Sequence, residues 1–295
     1  MMSSRAPIRR ESKNRHSAAL IVAAVLAATT ILASGASAMA YSRGAPGEQR
    51  SVSFQQQTAQ AEPIPLTPLT GLTALDATVT INVDGTVNGK ATQGDLTAQL
   101  TSTDQDMSQI DVTGSLLGDV VAQVGGSAVK LFRPNGVSVF AVPDGTYVVL
   151  DGLFDVCVKP EDSQATEALE QLSPQVLMDI LTGSDVARGT FVGDEVLNDM
   201  AVKHYVIDGE GFITAAQGSS DPNVSLFARS LRSATDADLY VAADGGYPVA
   251  YRGGFGGTFE PLKFEGDLSV QIDLTGVNGD TPVALPGACD HPIST

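Results

Sequence analysis

Histidine, cysteine and carboxylate side chains are the groups through which this chain could do chemistry, and their spacing argues against catalysis. Of the three histidines, His16 lies in a basic N-terminal segment and His291 lies near the C-terminus, which leaves His204 as the candidate general base. A Ser-His-Asp hydrolase would also need a Gly-x-Ser-x-Gly elbow, and the sequence contains none. Because no His-Glu-x-x-His motif, Cys/His cluster or calcium loop is present either, we predict no metal and no cofactor.

Adjacent carboxylates and a glycine run are weaker chemical signals. The pairs Glu161/Asp162 and Asp194/Glu195 could serve as the two acids of a glycosidase, but such pairs are also typical of a solvated surface. The run Gly253–Gly257 lacks the strand-to-helix setting of a dinucleotide fingerprint, and it predicts a flexible hairpin tip. We therefore expect a protein that is not an enzyme, with an unrecognised carboxylate site as the alternative.

Cys157 and Cys289 are the two cysteines of the chain, and an even count beside an export signal favours a disulfide. Two buried thiols are the alternative. Since the sequence has no Cys-x-x-Cys, neither a zinc ribbon nor a thioredoxin-like redox site is available.

The overall composition narrows the class of protein further. The chain has 17 basic and 34 acidic residues among 295, and a formal charge of -17 makes a nucleic-acid partner unfavourable. Aromatic residues make up 5%, while there are 30 glycines and 15 prolines. Such a turn-rich composition favours a β-rich fold over a helical bundle.

Residues 1–40 carry the parts of an export signal. Basic residues from Arg5 to Arg15 precede an apolar run that begins at Ala18 and ends in Ala36-Ser37-Ala38, so cleavage after Ala38 is the candidate. An uncleaved membrane anchor over residues 18–40 is the alternative, because about 20 apolar residues span a bilayer. In both cases we expect the rest of the chain to lie outside the cytoplasm. It is then either anchored to the membrane by this segment or secreted.

The remainder divides into a tether and one domain. Residues 41–69 are rich in Gln and Pro and lack apolar periodicity, which predicts a flexible tether before a domain of residues 70–295. Alternating apolar residues predict strands across most of that domain. They cover residues 77–83, 96–100, 127–133, 137–142, 146–150, 202–207, 239–242, 249–251 and 268–274.

Helical spacing interrupts the strands in the middle of the domain. Apolar residues at helical intervals predict two helices between Ser163 and Gly183, the second starting at Pro174, and a third over Pro222–Ser233. The strand-helix-strand order predicts an α+β fold, with helices packed on a large antiparallel sheet.

Three short segments resemble the LppX/LprG group of exported lipoproteins and their LolA-like relatives. The segment 193–208 resembles the G-x-E-x-x-N-G-x-x-x-x-H-Y-x-I/V-D motif of that group, with Asp199 in place of its second glycine. The segment 173–181 resembles its P-x-x-L-L-x-x-L helix. The segment 238–249 is similar to its W-I-D-x-x-G-x-P-V hairpin, with Tyr240 in place of Trp. The cysteine that carries lipid in the group is absent from this export segment.

The resemblance implies a curved half-barrel sheet around two or three helices on its concave face, enclosing an apolar cavity for an acylated lipid. The helix starting at Pro174 would then act as a lid. The alternative is a cell-surface interaction module in which the same residues fill a solid core. The candidate ligand-lining residues are Val79, Ile81, Leu96, Leu177, Ile180 and Leu181.

Overall fold

The computed structural model describes residues 61–67, 74–103, 107–118, 134–152, 155–159, 188–217, 229–259, 264–279 and 281–294. Within these ranges one large open sheet of 14 strands makes up most of the fold, and one α-helix accompanies it. The strands are β1 (Glu62–Pro63), β2 (Leu75–Val87), β3 (Lys90–Ser102), β4 (Ser108–Thr113), β5 (Gly136–Val142), β6 (Gly145–Asp151), β7 (Val156–Lys159), β8 (Arg188–Leu197), β9 (Met200–Ile207), β10 (Leu231–Ala234), β11 (Ala237–Ala242), β12 (Pro248–Phe259), β13 (Phe264–Val277) and β14 (Ile293–Ser294).

The strand order brings distant parts of the chain together at the centre of the sheet. It runs β1-β8-β9-β11-β12-β13-β2-β3-β4-β5-β6-β7-β14, with β10 paired to β12 outside this path. All pairs are antiparallel except β14 with β7. The β2–β13 ladder is as long as the β2–β3 ladder, and through it the first long strand of the domain pairs with its last long strand.

Two tight turns explain the registers of the long hairpins. Asn88 and Gly89 join β2 to β3 with φ angles of 53° and 76°, and Asn198 and Asp199 join β8 to β9 with φ angles of 51° and 62°. Positive φ at both central residues is the geometry of a type I′ turn, which matches the twist of paired strands. Asp199, where the resembled motif has glycine, therefore adopts the left-handed conformation that Asp tolerates better than most residues.

Strand predictions from alternation are confirmed wherever the structure describes the residues. The predicted strand at 127–133 lies outside them. The predicted helices between 163 and 183 lie outside them too, and so does the first part of the predicted helix over 222–233. Arg229 and Ser230 are helical as predicted, but the last part of the prediction is wrong, because Leu231–Ala234 forms β10 against β12.

A helix that the sequence analysis did not predict lies between β9 and β10. We name it α1 (Gly209–Gln217). The carboxylate of Asp208 accepts a hydrogen bond from the backbone N–H of Gly211 at 2.8 Å, which satisfies a donor of the first turn. Phe212 on this helix packs against Phe255, with ring centroids 5.7 Å apart. The α+β class thus holds with more sheet and fewer described helices than predicted.

The glycine run at residues 253–257 is not a hairpin tip, and that prediction was wrong. It lies inside β12. A Cβ on Gly257 would collide with the backbone oxygen of Ser230, and one on Gly256 would collide with the Ser233 hydroxyl. The glycines therefore allow the close approach of β10 and its preceding residues to β12.

Of the predicted export signal and tether, the structure describes only residues 61–67. Residues 1–40, including Ala38, lie outside the described ranges. Residues 61–67, the end of the predicted tether, contact the sheet through β1, through the buried Ile64 and through a hydrogen bond from Thr67 N to Gly246 O. Among the described residues, no helix is long and apolar enough to cross a lipid bilayer.

Candidate ligand-binding face

Central strands of the sheet present one face of apolar side chains, which we call the apolar face. Strict alternation in β2 points Val79 and Ile81 to this face, where they are 1% and 6% exposed. Leu96 lies directly opposite Ile81 in the β2–β3 ladder and is half-buried. These three predicted lining residues thus lie side by side. Leu177, Ile180 and Leu181 lie outside the described residues.

The apolar face continues across eight neighbouring strands. The register places one side chain from each strand in a single row through Val79. That row consists of Val112, Ala98, Val79, Ile272, Tyr251, Leu239, Tyr205 and Phe191. Phe191 ends the row and is 51% exposed, whereas the side chains at its centre are buried.

Two tyrosines, Tyr251 and Tyr205, carry hydroxyl groups in this row, and Tyr251 is the more deeply buried. Tyr251 is 4% exposed, and its hydroxyl lies over Gly253, where a Cβ would collide with it. Burial raises the pKa of the Tyr251 phenol above its usual value, so the group keeps its proton and can donate. Among the described residues, none makes a hydrogen bond with this hydroxyl. Buried donors usually have an acceptor, so we expect the partner of this hydroxyl outside the described residues.

The opposite face of the same strands, which we call the polar face, carries hydroxyl, amide and charged side chains. Near β9 it holds His204, whose Nδ1 lies 2.8 Å from Glu195 Oε1 and whose Nε2 lies 2.8 Å from Asp238 Oδ1. The imidazole also stacks on Tyr240, with ring centroids 4.4 Å apart. His204 therefore joins three neighbouring strands, β8, β9 and β11, through its two ring nitrogens. This arrangement is a structural clamp.

A groove of about 530 Å³ lies further along the polar face. Its carboxylates are Asp84, Asp95 and Asp267, and its lining contains no Lys or Arg. Asp95 accepts a hydrogen bond from the Ser115 hydroxyl at 2.7 Å. Because three carboxylates line it, this groove suits an acyl chain less well than the apolar face does.

The disulfide prediction is confirmed, since Cys157 and Cys289 are bonded. Cys157 lies on β7, and Cys289 lies in a short 3-10 helix, Gly287–Asp290. The pair belongs to a second, smaller core with Phe140, Tyr147 and Val149. The β5–β6 register places these side chains on the polar-face side of the sheet, so the C-terminal segment covers that side at one end.

Sequence reasoning found the aliphatic part of the apolar face and missed Tyr251, α1 and the His204 clamp. Asp208 followed by an apolar pair at 212–213 was a usable cap signal for α1. The contacts of His204 and the burial of the Tyr251 phenol depend on strand order, which alternation does not encode. Within the described ranges, no group of three or more His, Cys, Asp or Glu side chains is placed to hold a metal.

No family model and no curated protein matches the chain. Among solved structures, it is similar to an outer membrane lipoprotein-sorting protein domain from Vibrio parahaemolyticus, with 9% identity and a TM-score of 0.23 over 73% of this chain and 88% of that one. It is also similar to a LolA superfamily protein from Nitrosomonas europaea, with 10% identity and a TM-score of 0.24 over 72% and 89%.

A third similar structure is a DUF1329 family protein from Desulfovibrio piger, with 10% identity and a TM-score of 0.19 over 72% of this chain and 87% of that one. Two of these three structures are described as lipoprotein-sorting or LolA superfamily proteins, and with TM-scores below 0.5 the similarity assigns no role to this chain.

Proposed function

We propose that this protein is an exported binding protein that holds a lipid or other apolar ligand against the apolar face, between the sheet and the helices predicted at 163–183. The observation that carries the proposal is the continuous apolar row across eight strands. A curved half-barrel with Leu177, Ile180 and Leu181 as its cover completes the proposed site. The role is binding, and no catalytic step is assigned to it.

Tyr251 supports a ligand that is apolar over most of its length and carries one hydrogen-bond acceptor. Its buried hydroxyl stays protonated and has no partner among the described residues. An ester or carboxyl oxygen of an acylated lipid would accept from it, and burial would strengthen that bond. We therefore assign Tyr251 the role of orienting the ligand's oxygen over Gly253.

An extracytoplasmic site at the membrane agrees with this role. The Cys157–Cys289 disulfide is of the kind that persists in oxidising compartments. The basic and apolar parts of residues 1–40 would bring the chain to the membrane, either as a cleaved signal or as an anchor. The protein would then exchange lipid with the membrane from which it was exported.

One observation favours a second candidate, a cell-surface interaction module with a filled core. Val79 and Val270 are only 1% and 2% exposed, which a solid core without a ligand would also produce. The two candidates differ in one respect: only in the first can a ligand contact the side chains of the apolar face.

Uptake of a fluorescent phospholipid by the full chain distinguishes them. Leu96→Trp adds bulk at a half-buried position of the apolar face, and we expect at least a tenfold weaker uptake. Thr97→Trp, on the next residue of the same strand, points to the polar face and should leave uptake within twofold of the original chain. Absence of uptake by the unmodified protein, or equal losses in both variants, would contradict the ligand-binding proposal.

A further inference from the structure

The groove on the polar face has a floor made of glycine. Gly254 and Gly256 of β12 lie opposite Ser269 and Asp267 of β13, whose side chains line the groove. A Cβ on Gly256 would collide with the Ser233 hydroxyl and with the Asp267 carboxylate, so these two groups converge above the β12 backbone. Glycine within a strand often marks a position where a ligand or another backbone approaches closely. The absence of side chains on β12 therefore brings polar groups from both neighbouring strands together along one line.

Polar side chains from neighbouring strands form the rest of the groove. β2 continues the row of Ser269 with Asn82, and β3 continues it with Asp95. On the β10 side, Thr235 accepts a hydrogen bond from the backbone N–H of Gly254 at 2.9 Å. The polar side chains of the lining are Asn82, Asp84, Gln93, Asp95, Ser233, Thr235, Asp267 and Ser269. They place three carboxylates, two amides and three hydroxyls on one surface.

Asp84 and Asp267 lie directly opposite each other in the β2–β13 ladder. Like charges in this position destabilise a sheet. Among the described residues, no Lys, Arg or His forms an ion pair with either carboxylate, and Arg232 of β10 pairs with Glu265 instead. The amide nitrogen of Gln93 lies 3.4 Å from Asp84 Oδ2, which is long for a hydrogen bond. Both carboxylates thus have acceptor capacity left for a ligand.

The mixture of groups in the groove selects the class of ligand. A carboxylate only accepts hydrogen bonds, whereas an amide and a hydroxyl both donate and accept them. A cation would donate to the carboxylates but would not use the amide and hydroxyl donors. An anion would be repelled by the three carboxylates. A neutral ligand with several hydroxyl groups matches the whole set, because each of its hydroxyls can donate to a carboxylate or accept from an amide.

We propose that this groove is a saccharide site, in which Asp84 and Asp267 accept hydrogen bonds from the hydroxyl groups of a neutral sugar chain. Asn82 and Gln93 lie beside the two carboxylates and supply donors. The volume of about 530 Å³ lies within the range of small-molecule sites, about 300–1,000 Å³. The groove lies on the face of the sheet opposite to that proposed for the apolar ligand, so this inference stands independently of the proposed function.

An array of neutral oligosaccharides built from glucose, mannose, galactose and N-acetylglucosamine tests the site with the full chain. We expect binding to at least one of them, and calorimetry with that oligosaccharide then measures its Kd. Asp84→Asn and Asp267→Asn each replace an acceptor oxygen by an amide donor, so we expect at least about tenfold weaker binding. Asp194→Asn changes an exposed carboxylate of β8 outside the groove, and as the matched control it should leave the Kd within about twofold.

Stability measurements separate a loss of binding from a loss of structure. Each groove variant removes one of two like charges that face each other, so the urea midpoint of unfolding should not fall. Leu96→Trp, on the apolar face, should leave saccharide binding unchanged.

Three results would overturn the inference. The first is no binding to any oligosaccharide of the array, and binding of an oligolysine peptide in its place would assign the groove to a cation. The second is saccharide binding that both groove variants retain. The third is binding that Asp194→Asn weakens equally, which would show a general effect of charge.

Discussion

The two faces of the central strands are built from the same backbone and differ in what holds them together. Along β2, Val79 packs beside Ala98 on the apolar face, while its neighbour Thr80 lies opposite Thr97 on the polar face. The two threonine hydroxyls are 3.5 Å apart and half-buried. The apolar face thus depends on the burial of its side chains, and the polar face depends on hydrogen bonds between side chains that also contact water.

The polar face is covered differently at its two ends. At the β5–β7 end, the C-terminal segment covers it and forms the smaller core around the disulfide. At the β8–β9 end, the His204 clamp ties three strands together beside the buried Val202 and Tyr240. One face therefore uses three different means of stabilisation, each of which can be removed separately.

Removing the disulfide should have the largest effect on stability. The bridge closes a loop with a sequence separation of 132 residues, and a loop of that length stabilises by about 3–5 kcal/mol through the unfolded state. We expect the double variant Cys157→Ser/Cys289→Ser to lose that much in the free energy of unfolding measured with urea. Lipid uptake at a temperature where the variant is folded should be unchanged. A loss of uptake in the folded variant would contradict the separation of the two cores.

A Val→Thr substitution on the apolar face and a Thr→Val substitution on the polar face test the difference between the two faces directly. Val79→Thr buries an unpaired hydroxyl on the apolar face, and we expect a loss of about 2 kcal/mol in the free energy of unfolding. Thr80→Val, one residue further and nearly isosteric, should change it by less than about 0.5 kcal/mol. Equal effects at the two positions would show that the faces do not differ as described.

His204→Gln measures the worth of the clamp. The substitution loses at least one hydrogen bond to Glu195 or Asp238 together with the stacking on Tyr240, so we expect a loss of about 1–2 kcal/mol. Lys203→Gln, on the neighbouring exposed residue, is the matched control and should be nearly neutral. A neutral result for both variants would remove the clamp from the account.

Two tyrosines should respond with opposite signs. Tyr147, in the smaller core, donates to Asp144 Oδ2 at 2.7 Å and accepts from Lys159 at 3.0 Å, so Tyr147→Phe should destabilise by about 1 kcal/mol. Tyr251→Phe removes a buried hydroxyl that has no hydrogen-bond partner among the described residues, and it should stabilise the ligand-free protein by about 1 kcal/mol. The same variant should bind lipid more weakly. Destabilisation by Tyr251→Phe would mean that the hydroxyl already has a partner.

Side-chain alternation predicted the features of the fold that depend on a single strand. The alternation of β2 and β3 fixed which side chains share a face, because side chains alternate along any strand regardless of its neighbours. Alternation therefore predicted that Val79 and Ile81 share a face of β2, and the β2–β3 ladder places Leu96 opposite Ile81. Their role as ligand-lining residues stays a prediction. The even cysteine count predicted the disulfide on similarly simple grounds.

Features that depend on strand order could not be predicted in the same way. His204 reads as an isolated strand residue until β8 and β11 bring Glu195 and Asp238 to its two nitrogens. The Gly253–Gly257 run has the composition of a turn, and only its pairing with β10 explains why glycine is present there. Tyr251 is distinguished by a buried hydroxyl without a partner in the described part of the chain, and no spacing in the sequence encodes that.

Native mass spectrometry of the full exported protein, purified from the envelope of its own host, tests the central claim most directly. The account predicts a mass above that of the polypeptide, matched by an acylated lipid in an organic extract. It also predicts that the excess is lost in Leu96→Trp and kept in Thr97→Trp. A mass equal to that of the polypeptide, with no uptake of added phospholipid, would contradict the claim and leave a surface module with a filled core.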